Sequence, residues 1–229
     1  MLDRQQLHEN GYALLRQVIP RATVDELRTL FDANVLESEH WPAPRGQDWR
    51  HAQLDLEPTV QAMCRLPLLL ATVGELIGER FFLAQAEGRE PLPGGGHQSL
   101  HRDLSAQRPG DSVSALAFLD DYAPGNGATR IIPGSHRPAA GALPEEFNEE
   151  SRCLHLQGSA GDILVFDVDL VHAGSLNISG ARRRSILVSY RAEPLYAMHL
   201  ETTRLRNVRM DTAERFTPAT YPVHVAALS

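Results

Sequence analysis

The stretch Gln98-Ser99-Leu100-His101-Arg102-Asp103 carries an imidazole and a carboxylate two residues apart. Side chains on an extended segment repeat with period two, so His101 and Asp103 face one point in space and Arg102 points away from it. An imidazole and a carboxylate are two of the three ligands of the 2-His-1-carboxylate triad, which holds non-haem Fe(II) with open coordination positions. The pair is weak by itself, because a chain with 10 histidines reaches this spacing by chance. A surface His and Asp on a loop is the competing reading. A third ligand has to come from elsewhere in the chain.

His172 is the best candidate. It closes the apolar run Leu170-Val171-His172, about 70 residues after His101, a gap that in a double-stranded β-helix returns the chain to a neighbouring strand at the same end of the barrel. His8 lies on an early polar helix, His97 would crowd His101, and His136 follows a Pro-Gly-Ser turn where it reads as a turn-capping group. His40, His51, His155, His199 and His224 lie in segments that give them no convergence with Asp103. Eleven residues after His172 stands Arg183, flanked by Arg182 and Arg184, and a guanidinium there can clamp a carboxylate bidentately. Strand alternation groups Arg183 with Ser185, Leu187 and Ser189, and Arg184 with Ile186, Val188 and Tyr190. Periodicity does not say which face looks inward, and a solvated basic cluster remains the reading for at least one of the three.

These groups need elements to position them. Residues 3–10 read as a short helix ended by Gly11, followed by a strand Tyr12-Ala13-Leu14-Leu15. Thr23-Val24-Asp25-Glu26 reads as a capping box opening an amphipathic helix from about 23 to 34. Residues 36–56, without periodicity, read as a connecting loop or as a flap whose tryptophans cover a pocket. Helical spacing resumes from Pro58 to Ile77, broken near Pro67 and closed by Gly78. From Arg80 the chain turns to short strands between Gly, Pro and Asn turns: Phe81–Ala84, Ser112–Leu119, Ile163–Phe166 and Arg183–Tyr190. Such punctuation predicts a sandwich, barrel or jelly roll. Residues 137–150 read as a surface excursion, and the tail from about 192 is mixed, with Pro218 and Pro222 opposing a long terminal helix.

A chain of 229 residues with 42% apolar and 22% charged residues predicts one soluble globular domain with one sizeable core. Its formal charge of −7 opposes nucleic-acid binding, which needs a basic face. Met1 to Gln6 shows no apolar leader, and no run approaches a membrane span, so a cytoplasmic protein without membrane partners is expected. Cys64 and Cys153 share no short spacing and read as thiols, not as a disulfide or zinc framework.

The order of motifs resembles a known family. His101-Arg102-Asp103, the run Asn126-Gly127-Ala128-Thr129-Arg130-Ile131-Ile132-Pro133-Gly134-Ser135-His136, Gly161-Asp162-Ile163-Leu164-Val165-Phe166, and His172 with Asn177, Ser179 and Arg183 are similar to the phytanoyl-CoA dioxygenase (PhyH) family of Fe(II)/2-oxoglutarate-dependent oxygenases. The resemblance covers about residues 8–191. It implies a mainly β fold with flanking α: a double-stranded β-helix, the jelly roll of cupin-like proteins, with N-terminal helices packed on one sheet. The expected layout is a single domain over 1–229, with a helical scaffold to about 79, the β-helix core from about 80 to 191 and a tail over 192–229.

The resemblance also implies that His101, Asp103 and His172 hold Fe(II), and that Arg183 binds the distal carboxylate of 2-oxoglutarate. Thr129 and Gln98 are expected as weaker contributors to the cosubstrate site. One position departs from the family pattern: where a Ser often stands two residues after the distal His, this chain has Gly174. The implied reaction consumes O2 and 2-oxoglutarate, releases succinate and CO2, and abstracts hydrogen from a small to medium metabolite. Asp103 stands where related halogenases have Gly or Ala, which favours hydroxylation, desaturation or ring formation. Trp41, Trp49 and Arg89 are hypothetical pocket residues. A cupin-like metal enzyme that uses no 2-oxoglutarate is the alternative enzyme, with Arg183 as the discriminating residue. A non-catalytic ligand-binding barrel is the second alternative, opposed by the intact triad. The sequence leaves the substrate and the oligomeric state open.

Overall fold

The structure is a computed structural model that describes residues 4–137 and 149–218. Its frame is a seven-stranded antiparallel sheet in the order β1-β8-β5-β10-β4-β3-β2, facing a three-stranded sheet in the order β7-β6-β9. The large sheet comprises β1 (Tyr12–Leu15), β2 (Val35–Leu36), β3 (Trp49–Ala52), β4 (Phe81–Pro91), β5 (Ser112–Phe118), β8 (Ile163–Asp167) and β10 (Ser185–Ala192). The small one comprises β6 (Thr129–Ile131), β7 (Leu154–His155) and β9 (His172–Gly174). Two facing antiparallel sheets of this order form the expected jelly roll.

Alternation along the strands of the large sheet sorts side chains to two faces. Ala115, Ala117, Ile163, Val165, Ile186, Val188 and Tyr190 face outward. They pack beneath α2 (Arg21–Ala33), α3 (Pro58–Met63) and α4 (Pro67–Ile77), which bury Val24, Leu27, Phe31, Val60, Leu69, Leu70 and Val73 there. On the inner face Leu164, Phe166, Phe118 and Tyr122 meet Ala128, Ile131, Leu156 and Leu170 between the sheets. This second core stops short of the sheet end that carries the candidate ligands, and a cavity remains there.

Several local expectations change in the fold. Helix α2 begins at Arg21, behind Pro20, and no side chain caps it. Thr23-Val24-Asp25-Glu26 is therefore not a capping box. Pro20 caps the helix from an extended conformation (φ −58°, ψ 146°), and its carbonyl accepts from the Val24 N–H at 3.0 Å. Glu26 instead accepts from the Thr59 hydroxyl on α3 at 2.5 Å. The supposed loop 36–56 contains β3, paired with β4 from Trp49↔Pro91 to Ala52↔Gly88. Strand β4 runs on to Pro91, well past the expected Ala84, because its inner positions are the polar Gln85, Glu87 and Arg89, which break an apolar pattern. The last core strand is displaced to Ser185–Ala192, so Arg183 precedes it. A short helix, α5 (Tyr196–Thr202), follows, and Phe216 bridges Phe81. The excursion expected at 137–150 lies mostly outside the described residues, as does Pro222.

Candidate metal and cosubstrate site

His101 and His172 sit opposite each other in an antiparallel bridge, with His101 N–H donating to His172 O at 3.0 Å and His172 N–H returning to His101 O at 2.9 Å. Asp103 is fixed one step on, its N–H bound to Val168 O at 3.0 Å. This backbone ladder brings residues about 70 apart in sequence to one point. Their ligand atoms all lie within 4.8 Å of one another, and they are the only such group among the described residues. Arg102, between the two ligands, turns away and donates to Asp169 O and Ser135 O.

The imidazoles are oriented by their own segments. Nδ1 of His101 lies 2.8 Å from Ser99 O, and Nδ1 of His172 lies 2.8 Å from Leu170 O. Each carbonyl holds a proton on Nδ1 and leaves Nε2 bare, the tautomer a metal ligand needs. The two Nε2 atoms are 3.8 and 3.7 Å from the Asp103 carboxylate oxygens. Burial lowers the His172 pKa and keeps that ring neutral. Two neutral imidazole nitrogens and one carboxylate, aimed together, are the donor chemistry of a divalent iron site.

The cavity beside them measures about 100 Å³, and Trp49, Arg89, Gln98, Thr129, Phe166 and Arg183 contribute to its wall. Arg183 is 2% exposed. Its Nη1 donates to the Tyr122 hydroxyl at 2.5 Å, its guanidinium carbon lies 4.7 Å over the Tyr122 ring, and its Nε has no partner. An unpaired buried guanidinium nitrogen is costly unless an anion completes it. Its neighbours in sequence are engaged elsewhere: Arg182 pairs with Glu90 and Asp32, and Arg184 with Asp120 and Asp32. The inward face is thus that of Arg183, Ser185 and Leu187.

Thr129 lies on β6 directly opposite Gly174 and is buried on the cavity wall. Gln98 accepts from Gly174 N–H through its side-chain oxygen at 3.0 Å and donates its own N–H to Gly174 O at 3.1 Å. The glycine at this position has a reason: a Cβ there would lie 2.6 Å from Gly96 O and 3.3 Å from the Trp49 ring. The close approach of the 94–98 segment leaves no space for the serine of the family pattern.

Trp49 and Arg89 are brought to the cavity; Trp41 is not. Its ring is buried edge-on to His51 and under the Arg45 guanidinium, and its indole N–H donates to Leu36 O. His97 is exposed, and His136 packs on Gly11 with Nε2 3.1 Å from His8 O. Two residues at the site had no role assigned from the sequence, although Arg130 lies in the family-like run 126–136. Tyr122 anchors Arg183 and stacks on Phe118 at 3.6 Å. Arg130, 3% exposed, donates to Gly174 O at 2.5 Å and Gln98 O at 2.8 Å while Glu150 holds its outer edge. A buried arginine tying two ligand-bearing segments together is visible only after folding.

Residues 7–185 match the phytanoyl-CoA dioxygenase (PhyH) family. The chain belongs to this family. Among curated relatives, the Fe(II)/2-oxoglutarate-dependent dioxygenase nvfF of Aspergillus novofumigatus is 26% identical over 211 residues, covering 79% of this chain and 67% of the relative. Dioxygenase FUM3 of Gibberella moniliformis is 29% identical over 128 residues, covering 51% and 40%. The alignments thus span 40% to 67% of these relatives' lengths. Among solved structures, the epimerase SnoN in complex with Fe3+, alpha ketoglutarate and nogalamycin RO superposes with a TM-score of 0.66 at 18% identity, covering 82% of each chain. HygX from Streptomyces hygroscopicus with nickel, 2-oxoglutarate and hygromycin B bound gives 0.66 at 17%, covering 84% of this chain and 88% of its own. These likenesses establish the fold of this PhyH-family chain. No described helix is long and apolar enough to cross a membrane.

Proposed function

We propose that this PhyH-family protein is an Fe(II)- and 2-oxoglutarate-dependent dioxygenase acting on a small to medium metabolite, with hydroxylation, or desaturation or ring closure, as the outcome. The observation that carries the reading is the meeting, in one cavity, of His101, Asp103 and His172 with a buried arginine whose Nε has no partner. His101 and His172 would hold iron through Nε2 and Asp103 through a carboxylate oxygen. Bound there, iron and 2-oxoglutarate supply the oxidising chemistry, with succinate and CO2 as coproducts. Arg183, steadied by Tyr122, would receive the distal carboxylate of 2-oxoglutarate, and Thr129 would add a hydroxyl contact. Phe166, Leu116 and Leu187 line the same space with apolar surface and keep water from the reacting atoms.

A chelated 2-oxoglutarate on Fe(II) absorbs weakly in the visible. Anaerobic addition of Fe(II) and 2-oxoglutarate to the protein should produce that band, and metabolite screening should then find compounds that raise succinate release. Tight iron binding without the band would move the protein to cupin-like chemistry that needs no 2-oxoglutarate.

A further inference from the structure

The inner face of the large sheet stays partly open beyond the cavity. Along β10, from Ile186 onward, buried positions alternate with half-open ones at Leu187, Ser189 and Arg191. Leu116 on β5 and Gln85 and Arg89 on β4 are half-open in the same way. Register joins them: Leu187 pairs with Leu116, Ser189 with Gln85 and Ser114, and Arg191 with Ser112 and Phe82. Leu116, Leu187 and Arg89 line the cavity, and the half-open positions continue from it as one row along β10 to Arg191, which we read as a groove.

At its far end the groove is cationic. Arg206 reaches Gln85 Oε1 at 3.0 Å with Nη1, His199 Nδ1 at 2.8 Å with Nη2, and Thr202 Oγ1 at 3.2 Å with Nε. All of these acceptors are neutral. Arg191 makes no hydrogen bond or ion pair to a described side chain. The nearby carboxylates are engaged: Glu87 by Arg45 and Arg89, Glu193 by Arg80 and Arg215, and Asp111 by three backbone N–H groups and the Ser112 hydroxyl. Burial lowers the pKa of both arginines, with each other's neighbourhood adding to it at Arg206, which falls to about 10. Asp111 acts on Arg191 and Glu87 on Arg206 only through space, each raising the arginine's pKa against burial. No carboxylate is hydrogen-bonded to either guanidinium among the described residues, which leaves both able to take a bound anion.

We propose that this groove receives the primary substrate and that Arg191 and Arg206 hold an anionic group on it, a carboxylate or phosphate. Four residues of strand separate Leu187 from Arg191, about 13 Å. The substrate class is therefore an anion whose charged group sits at the Arg191 end while its oxidised carbon lies toward the metal ligands. This assignment rests on the dioxygenase reading for the identity of the reacting end, but the anion site stands on its own residues.

The test uses phenyl phosphate as probe and phenol as the neutral control, titrated calorimetrically into the whole protein, with and without Fe(II) and 2-oxoglutarate under anaerobic conditions. Phenyl phosphate should bind in both forms and phenol should not. Arg191→Gln, which removes no hydrogen bond, should weaken binding by about tenfold or more, and Arg206→Gln should do the same. The visible band formed with 2-oxoglutarate should persist in Arg191→Gln. No binding at millimolar phenyl phosphate, or an affinity unchanged from the parent protein in both variants, which would mean an adventitious ion only, overturns the anion site. Loss of the visible band in the unaltered protein with phenyl phosphate binding retained would instead sink the dioxygenase reading alone. As a second arm, free acids and phosphate esters should stimulate succinate release where their neutral methyl esters do not. Equal stimulation by the esters overturns the substrate class.

Discussion

Arg183 donates to the Tyr122 hydroxyl at 2.5 Å while lying 4.7 Å above its ring, so one residue both anchors and covers the guanidinium. The anchor spends Nη1 and leaves Nε without a partner in the cavity. Arg183→Ala should lower 2-oxoglutarate affinity by about 10- to 100-fold, the worth of charge-assisted hydrogen bonds to a carboxylate. Tyr122→Phe should cost only about 3- to 10-fold, because the ring stays and one hydrogen bond goes. Iron affinity should be unchanged in both. The check is titration of the visible band with 2-oxoglutarate; an unaltered affinity in Arg183→Ala would move the clamp elsewhere.

Asp103 is half-exposed and supports no part of the core. Asp103→Ala should therefore leave the melting temperature of the metal-free protein within about 2 °C and abolish 2-oxoglutarate turnover. Full activity in this variant would remove Asp103 from the ligand set.

Arg130 holds the carbonyls of Gln98 and Gly174, three residues before His101 and two after His172. Arg130→Ala should weaken metal binding by about tenfold or more, as the loss of outer support to ligands does. Arg130→Lys keeps the charge but loses the fork and should rescue only part of it. Calorimetry with Co(II) reads this separately from thermal stability.

Gly174→Ser restores the residue of the family pattern, and its Cβ would meet a backbone oxygen at 2.6 Å. Backbone cannot swing aside as a flexible side chain would. We expect a destabilisation of about 1–3 kcal/mol, visible in thermal melts, and displacement of Gln98.

Asp167 is buried at the end of β8, and burial raises its pKa from 3.8 to about 6. The folded state thus binds the proton more tightly than the unfolded state. This group's contribution is fully present below about pH 4 and is lost as pH rises through about 6. Asp167→Asn should remove the loss, gaining about 1–3 kcal/mol near pH 7 relative to the parent and nothing near pH 4. Denaturant midpoints of the pair across that range test it; a pH-independent difference would contradict the assignment.

The local chemistry was legible in the chain. His-x-Asp places two ligands on one side of any extended segment, and the glycines and prolines that punctuate 80–191 mark a succession of strands. Helices α3 and α4 were legible too, since apolar spacing and the breaks at Pro67 and Gly78 are local signals. What the chain concealed is everything that depends on which face turns inward. Gln85, Glu87 and Arg89 hid the second half of β4, beyond Ala84, because a strand lining a polar site loses its apolar alternation. Periodicity leaves Arg182, Arg183 and Arg184 equivalent, and in the sequence only the family resemblance singles out Arg183; physically it is the packing of Ile186, Val188 and Tyr190 beneath the helices that turns Arg183 into the cavity and leaves its neighbours to Glu90, Asp120 and Asp32. Trp41 and Trp49 likewise part company once β3 joins the sheet. Sequence determined the kinds of group available and their local spacing, because those follow from backbone period and residue chemistry. The tertiary structure decided which groups meet, because the bridge between His101 and His172 and the reach of Arg130 are closed by contacts that no local pattern encodes.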